Sequence, residues 1–169
     1  FQDRTISRRY RAFGVGQPKS PWGKTGRVDA RLARDPRDRK RMAVVADTAS
    51  AGKNAATNYE IVKRFGIGLQ GNPGAAATEM VCVLETGRTH QIRVHMAHIG
   101  MPLIGDQVYG DTKAARALNT ALPEDVRLKR QALHAETLAF THPATSERMS
   151  FQSDLPEDLL ALRAALSDL

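Results

Sequence analysis

Residues 84–110, LETGRTHQIRVHMAHIGMPLIGDQVYG, hold the densest set of chemically capable side chains in the chain. Arg88, His90, Gln91, Arg93, His95 and His98 crowd one short stretch, and Asp106 follows in a Gly105-Asp106 turn. An imidazole can ligate a metal, move a proton or donate a hydrogen bond. A guanidinium can clamp a carboxylate or a phosphate through two parallel bonds. Packing such groups beside Ile92, Val94 and Met96 is costly unless something polar pairs with them.

Each of these groups admits more than one chemistry. The histidines form an H-x4-H-x2-H pattern; zinc helices pair histidines three or four apart and take a further ligand elsewhere, so His95 and His98 could share a face while His90 sits a turn and a half before. The alternative is that they hydrogen-bond to backbone or phosphate. Arg93 needs an anionic partner. That partner is either one of the chain's own acids or a catalytic carboxylate that the guanidinium positions, and spacing does not choose between them. Asp106 is a candidate base or a turn-stabilising residue. Tyr10, among Arg8, Arg9 and Arg11, is a core residue with a polar tip or a stacking platform for a base. Cys82, inside VCVLE, is a nucleophile or a small hydrophobe on a buried strand. No G-x-S-x-G, P-loop or H-E-x-x-H motif occurs.

These residues need elements to position them. Aromatic, β-branched and apolar runs predict strands at 9–15, 26–32, 42–46, 56–64, 77–84, 133–140 and 149–152. The strand at 77–84 is expected to be buried on both faces. Thr89 is a plausible N-cap for a helix over His90–Ile99, with Ile92, Met96 and Ile99 on one side and Gly100 at its end. A second short helix is expected over Asp111–Thr120, and Pro156 opens a last one with Leu159, Leu162 and Leu166 aligned. Residues 17–26, 34–41 and 69–75 read as loops or turns. The sum is an α+β domain: a mixed, mostly antiparallel sheet with short flanking helices.

Length suits a single domain, 1–169. Net charge is +7, and it is unevenly placed. Residues 1–64 hold 16 Lys/Arg against 6 Asp/Glu, and residues 65–169 hold 9 against 12. A basic half points to a polyanion, RNA or DNA. The lone cysteine rules out a disulfide within the chain and suits a reducing cytoplasm. No apolar run approaches the ~18 residues of a membrane span, and no signal peptide is visible at Phe1.

The run at 84–110 resembles the signature of the RluA-type pseudouridine synthases, in the branch that modifies large-subunit ribosomal RNA. RRYRAFGVG at 8–16, RDPRDRKRMAV at 34–44, AATNYEIV at 55–62 and QALHAETLAFTHP at 131–143 resemble family segments in family order. The resemblance implies the pseudouridine synthase fold and the isomerisation of uridine in RNA to its C-glycoside, with no cofactor and no metal. It implies that Tyr10 is the active-site tyrosine, packed against the target base and assisting proton removal from C5. Arg93 would be the arginine that pairs with the catalytic aspartate. Arg88, His90 and Gln91 would hold RNA or the shape of the site. The charged loop with Arg37, Arg39, Lys40 and Arg41 would contact phosphate.

One departure is large. The family's aspartate sits in an H-R-L-D-x-x-T-S-G type segment ahead of the tyrosine strand, and the 169 residues contain none. The chain is therefore expected to be the C-terminal portion of a catalytic domain, an incomplete fold inactive alone. The upstream nucleophile segment and any N-terminal RNA-binding domain would lie outside it, and its edge strands would be open. A non-catalytic RNA-binding module is the alternative.

Overall fold

The apolar run at 77–84 becomes the middle of a sheet. In the computed structural model, which describes residues 6–68 and 74–169, it is β6 (Ala77–Leu84). Before it come β1 (Ser7–Val15), β2 (Thr25–Asp29), β3 (Arg31–Arg34), β4 (Met42–Val45) and β5 (Ala56–Phe65). After it come α1 (Gln91–His98), α2 (Lys113–Ala121), a 3-10 turn at Glu124–Val126, β7 (Leu133–Thr141), β8 (Arg148–Gln152) and α3 (Glu157–Ser167). Six strands pair in the order β2-β5-β6-β1-β7-β8, and β3 and β4 form a separate ribbon. The chain has the expected α+β class with a mostly antiparallel sheet; every strand pair among the described residues is antiparallel.

Both faces of the sheet are covered, which explains why Ala77 to Cys82 are buried without a break. Side chains alternate between faces along a strand. On one face Ala12, Tyr59, Met80 and Cys82 lie in one cluster with Ile92, Met96 and Ile99 of the α1 segment, joined by Met101 and Leu103. On the other, Phe13, Val15 and Phe65 pack with Leu118 of α2 and with Leu159, Leu162 and Leu166 of α3. Each fully buried leucine stabilises the domain by about 1.5–3 kcal/mol. One charged group sits in this second layer. Glu79 is 3% exposed and is held by Arg163 Nη2 at 2.7 Å and Arg11 Nη1 at 3.2 Å. β2 and β8 are the sheet edges, and β8 is exposed at four of its five positions.

Three expectations need correction or sharpening. The strand expected at 26–32 is two strands in two sheets. The backbone leaves β5 at Ala30, whose N–H goes to Ala55 O at 3.0 Å, and Leu32 then exchanges both bonds with Lys53. Thr89 does not cap α1. His90 occupies the cap in a left-handed conformation, φ 56°, with no side-chain cap bond. The preceding turn is closed by Gln91 instead: its N–H donates to Arg88 O, and its Oε1 accepts the Arg88 N–H at 3.0 Å. The second helix starts later than expected, capped by Thr112 Oγ1, which accepts the Ala115 N–H at 3.1 Å. Gly100 has φ 87°, as a helix-ending glycine requires. Residues 69–73 of the expected turn lie outside the described residues. No helix among the described residues is long and apolar enough to cross a membrane.

Candidate active site

Arg93 sits one position past Ile92 on α1, so it points to the side of the helix rather than into the core. There it meets Asp106. Arg93 Nε donates to Oδ2 at 2.7 Å and Nη2 to Oδ1 at 2.8 Å. Side-chain exposure is 12% for Arg93 and 0% for Asp106. Asp106 Oδ1 also accepts the backbone N–H groups of Val108 (2.9 Å) and Tyr109 (3.1 Å). Burial alone would raise this carboxyl. The Arg93 bonds and the two N–H groups outweigh burial and hold it below the usual carboxylate range. Of the two partners open to Arg93 in the sequence, the structure contains the internal acid. Its Nη1 makes no hydrogen bond among the described residues.

Tyr109 is the residue that the sequence reading missed; the only signal was its place three residues after Asp106. The Arg93 guanidinium lies 5.0 Å from its ring centroid and the Arg41 guanidinium 5.3 Å. Its hydroxyl accepts the Met42 N–H at 2.8 Å and lies 3.0 Å from His90 Nδ1. The two rings meet edge to face at 5.7 Å. Burial and the Arg93 charge lower the pKa of His90, so the ring is neutral at pH 7.

Gln91 and His95 are held inside the fold. Gln91 is 2% exposed. Its Oε1 accepts from the Thr86 hydroxyl (2.7 Å) and the Arg88 N–H, and its Nε2 donates to Ala56 O and Thr57 Oγ1, each at 3.0 Å. Of the two roles expected for Gln91, holding shape is the one its surroundings allow. Thr57 keeps its proton for His95 Nδ1 at 2.9 Å, and His95 Nε2 faces Ala30 O at 3.3 Å. Burial pushes His95 down to about 4. Both of its nitrogens are thus engaged, His98 is exposed, and the histidines do not converge on a common point among the described residues. Burial pushes the Cys82 thiol up to about 12, so it behaves as a core hydrophobe rather than a nucleophile.

Tyr10 is half-buried on β1 and packs against the same apolar cluster that α1 covers. It pairs with Cys82 on one side and Ala135 on the other. Arg88 is exposed, with Nε on Asn54 O at 3.1 Å. Arg37, Arg39 and Lys40 are exposed in the β3–β4 loop and make no side-chain hydrogen bond or ion pair among the described residues. The loop is shaped by Asp35 and Asp38, whose carboxylates accept the N–H groups of Arg37 and Lys40. Beside it, a groove of about 420 Å³ is lined by Arg34, Lys53 and Arg88, with Leu32 and Met42 among its apolar neighbours. Arg34 and Lys53 carried no signal in the sequence beyond their charge.

An RNA pseudouridylate synthase family model matches residues 1–98, more than half of the chain. The chain belongs to the RNA pseudouridylate synthase family. The matched part holds Tyr10, the Arg37–Arg41 loop and the Arg88–Arg93 run; Asp106 and Tyr109 lie beyond it. Among curated pseudouridine synthases, the chain is 44% identical to ribosomal large subunit pseudouridine synthase D of Nitrosomonas europaea, over 100% of the chain and 43% of that protein. It is 42% identical to the protein of that name from Zymomonas mobilis, over 96% of the chain and 45% of that protein. The chain thus spans less than half the length of the curated synthases it matches. The fold is that of human RNA pseudouridylate synthase domain containing 1, with a TM-score of 0.68 at 22% identity, covering 90% of this chain and 56% of that one.

Proposed function

We propose that this chain forms the C-terminal portion of the catalytic domain of a cytoplasmic enzyme that converts uridine to pseudouridine in large-subunit ribosomal RNA. In that reaction the C1′–N1 bond breaks, the freed base turns, and a C1′–C5 bond forms. A proton leaves C5 and N1 gains one, so no electrons are exchanged and neither cofactor nor metal takes part. The aspartate that carries the chemistry comes from a segment outside these 169 residues.

Arg93 carries this reading. Asp106 and Tyr109 hold its guanidinium on two sides, while Nη1 makes no bond among the described residues. A second carboxylate can dock there and stay ionised beside the cation. Family membership and the names of the relatives supply the substrate class. Tyr10 offers its ring to the extruded base and assists removal of the C5 proton. Stacking offsets part of the few kcal/mol that flipping costs. Arg88, His90 and the Arg37–Arg41 loop face the RNA, the last through phosphates.

The test uses the full-length protein and unmodified large-subunit ribosomal RNA carrying tritium at C5 of uridine. Release of tritium into water is expected. RNA bound without release would replace the enzyme by a binding module.

A further inference from the structure

Arg41 and Arg93 come from different parts of the chain, one from the basic loop and one from α1. They meet no common acid. Arg41 makes no ion pair among the described residues, and its buried Nε has no hydrogen-bond partner. What holds both is a single ring. The guanidinium carbons of Arg41 and Arg93 lie 5.3 and 5.0 Å from the centroid of Tyr109, which is 9% exposed. A cation over an aromatic face is held without using its N–H donors, so the Arg41 fork remains available to an incoming phosphate. The Tyr109 hydroxyl adds two ties. It accepts the Met42 N–H, directly after Arg41, and bonds His90, the left-handed residue at the start of α1. The Tyr109 N–H completes the shell of Asp106, which grips Arg93.

We propose that Tyr109 is a positioning residue that couples the phosphate-binding loop to the arginine of the active site, so that capture of RNA by Arg41 and placement of Arg93 depend on one another. This role rests on the RNA-modifying function proposed above. Tyr109 touches neither base nor phosphate in it. The ring carries the coupling, and the hydroxyl sets the loop's distance from α1.

The experiment is a double-mutant cycle in the full-length protein, read on the dissociation constant for ribosomal RNA and on the single-turnover rate of tritium release. Arg41→Gln and Tyr109→Leu are each expected to weaken RNA binding by about tenfold or less, and the double variant to be no weaker than Tyr109→Leu alone. Tyr109→Leu also lowers the rate at saturating RNA, whereas Tyr109→Phe, which keeps the ring, restores both quantities to within about threefold of the parent. Loss of fold alone would abolish binding rather than weaken it in this graded way, and thermal unfolding of Tyr109→Leu reports it directly. Multiplying effects of Arg41→Gln and Tyr109→Leu on RNA binding overturn the coupling. If Tyr109→Leu does not fold, the Arg41→Gln with Arg93→Lys cycle in the native background is read instead, and multiplicative effects there overturn it. Absence of tritium release from the parent protein would remove the enzymatic function, while the binding cycle would still decide the role of Tyr109.

Discussion

Arg93 and Asp106 face each other through two near-parallel bonds of 2.7 and 2.8 Å, with the carboxylate fully buried. Neither group could sit there alone. The pair shows how an arginine on a helix flank is kept charged and oriented, with Nη1 making no hydrogen bond among the described residues.

Asp106→Asn should destabilise the fold by about 3 kcal/mol, since removing one member of a buried ion pair strands the other. Urea unfolding of the variant and the parent would measure it. A loss well under 1 kcal/mol would mean that Arg93 finds water or another acid without cost.

Arg93→Lys should lower the single-turnover rate of the full-length protein by about a hundredfold, the scale of losing one preorganised electrostatic contact. RNA affinity should change far less. Lysine keeps the charge but not the planar fork, so it cannot serve Asp106 and a second carboxylate together. Equal rates for both proteins would detach Arg93 from the chemistry.

Acid should weaken the fold well before carboxylates titrate. Burial pushes His95 to about 4, while an unfolded histidine titrates near ~6.5. Between these values the unfolded chain binds the extra proton, so stability rises with pH across the window and is lost as pH falls through it. The full effect is on the order of 3 kcal/mol, at about 1.4 kcal/mol per pH unit. Stability measured by denaturant from pH 4 to 7 checks this. A flat profile would show that His95 is protonated in the fold. Asp106 acts below that window. Its lowered pKa contributes stability that is complete above the unfolded value of ~3.9 and disappears as pH drops through the folded one.

Reversing Arg37, Arg39 and Lys40 to glutamate should weaken RNA binding and flatten its salt dependence. Each lost phosphate contact removes about 0.7–0.9 from the logarithmic slope. The three side chains are exposed and unpaired among the described residues, so the fold should survive and thermal unfolding should be little changed. An unchanged slope would assign the loop another task.

The sequence by itself determined most of the framework. Local periodicity placed β1, β5, β6, the β7–β8 pair and α3, because alternation and helical spacing are written within each segment. Motif resemblance supplied the family and pointed to Tyr10 and Arg93. It gave Arg93 a catalytic aspartate as partner and not Asp106, which lies thirteen residues further on and read as a candidate base or a turn residue. Only the return of the chain from α1 through Leu103 brings the two together. Nor did spacing separate Gln91, buried with every amide bond filled, from exposed Arg88 three residues before it. Tyr109 gave no signal beyond its place after Asp106, since its partners Arg41, Met42 and His90 are scattered along the chain. The break at Ala30 was equally hidden, set by a hydrogen bond to Ala55 rather than by residue type. Residue types and short-range spacing decide which elements form and which groups can react. Which charges pair, which histidine stays neutral and which ring holds two cations follow from long-range packing, where burial makes each unpaired polar group costly.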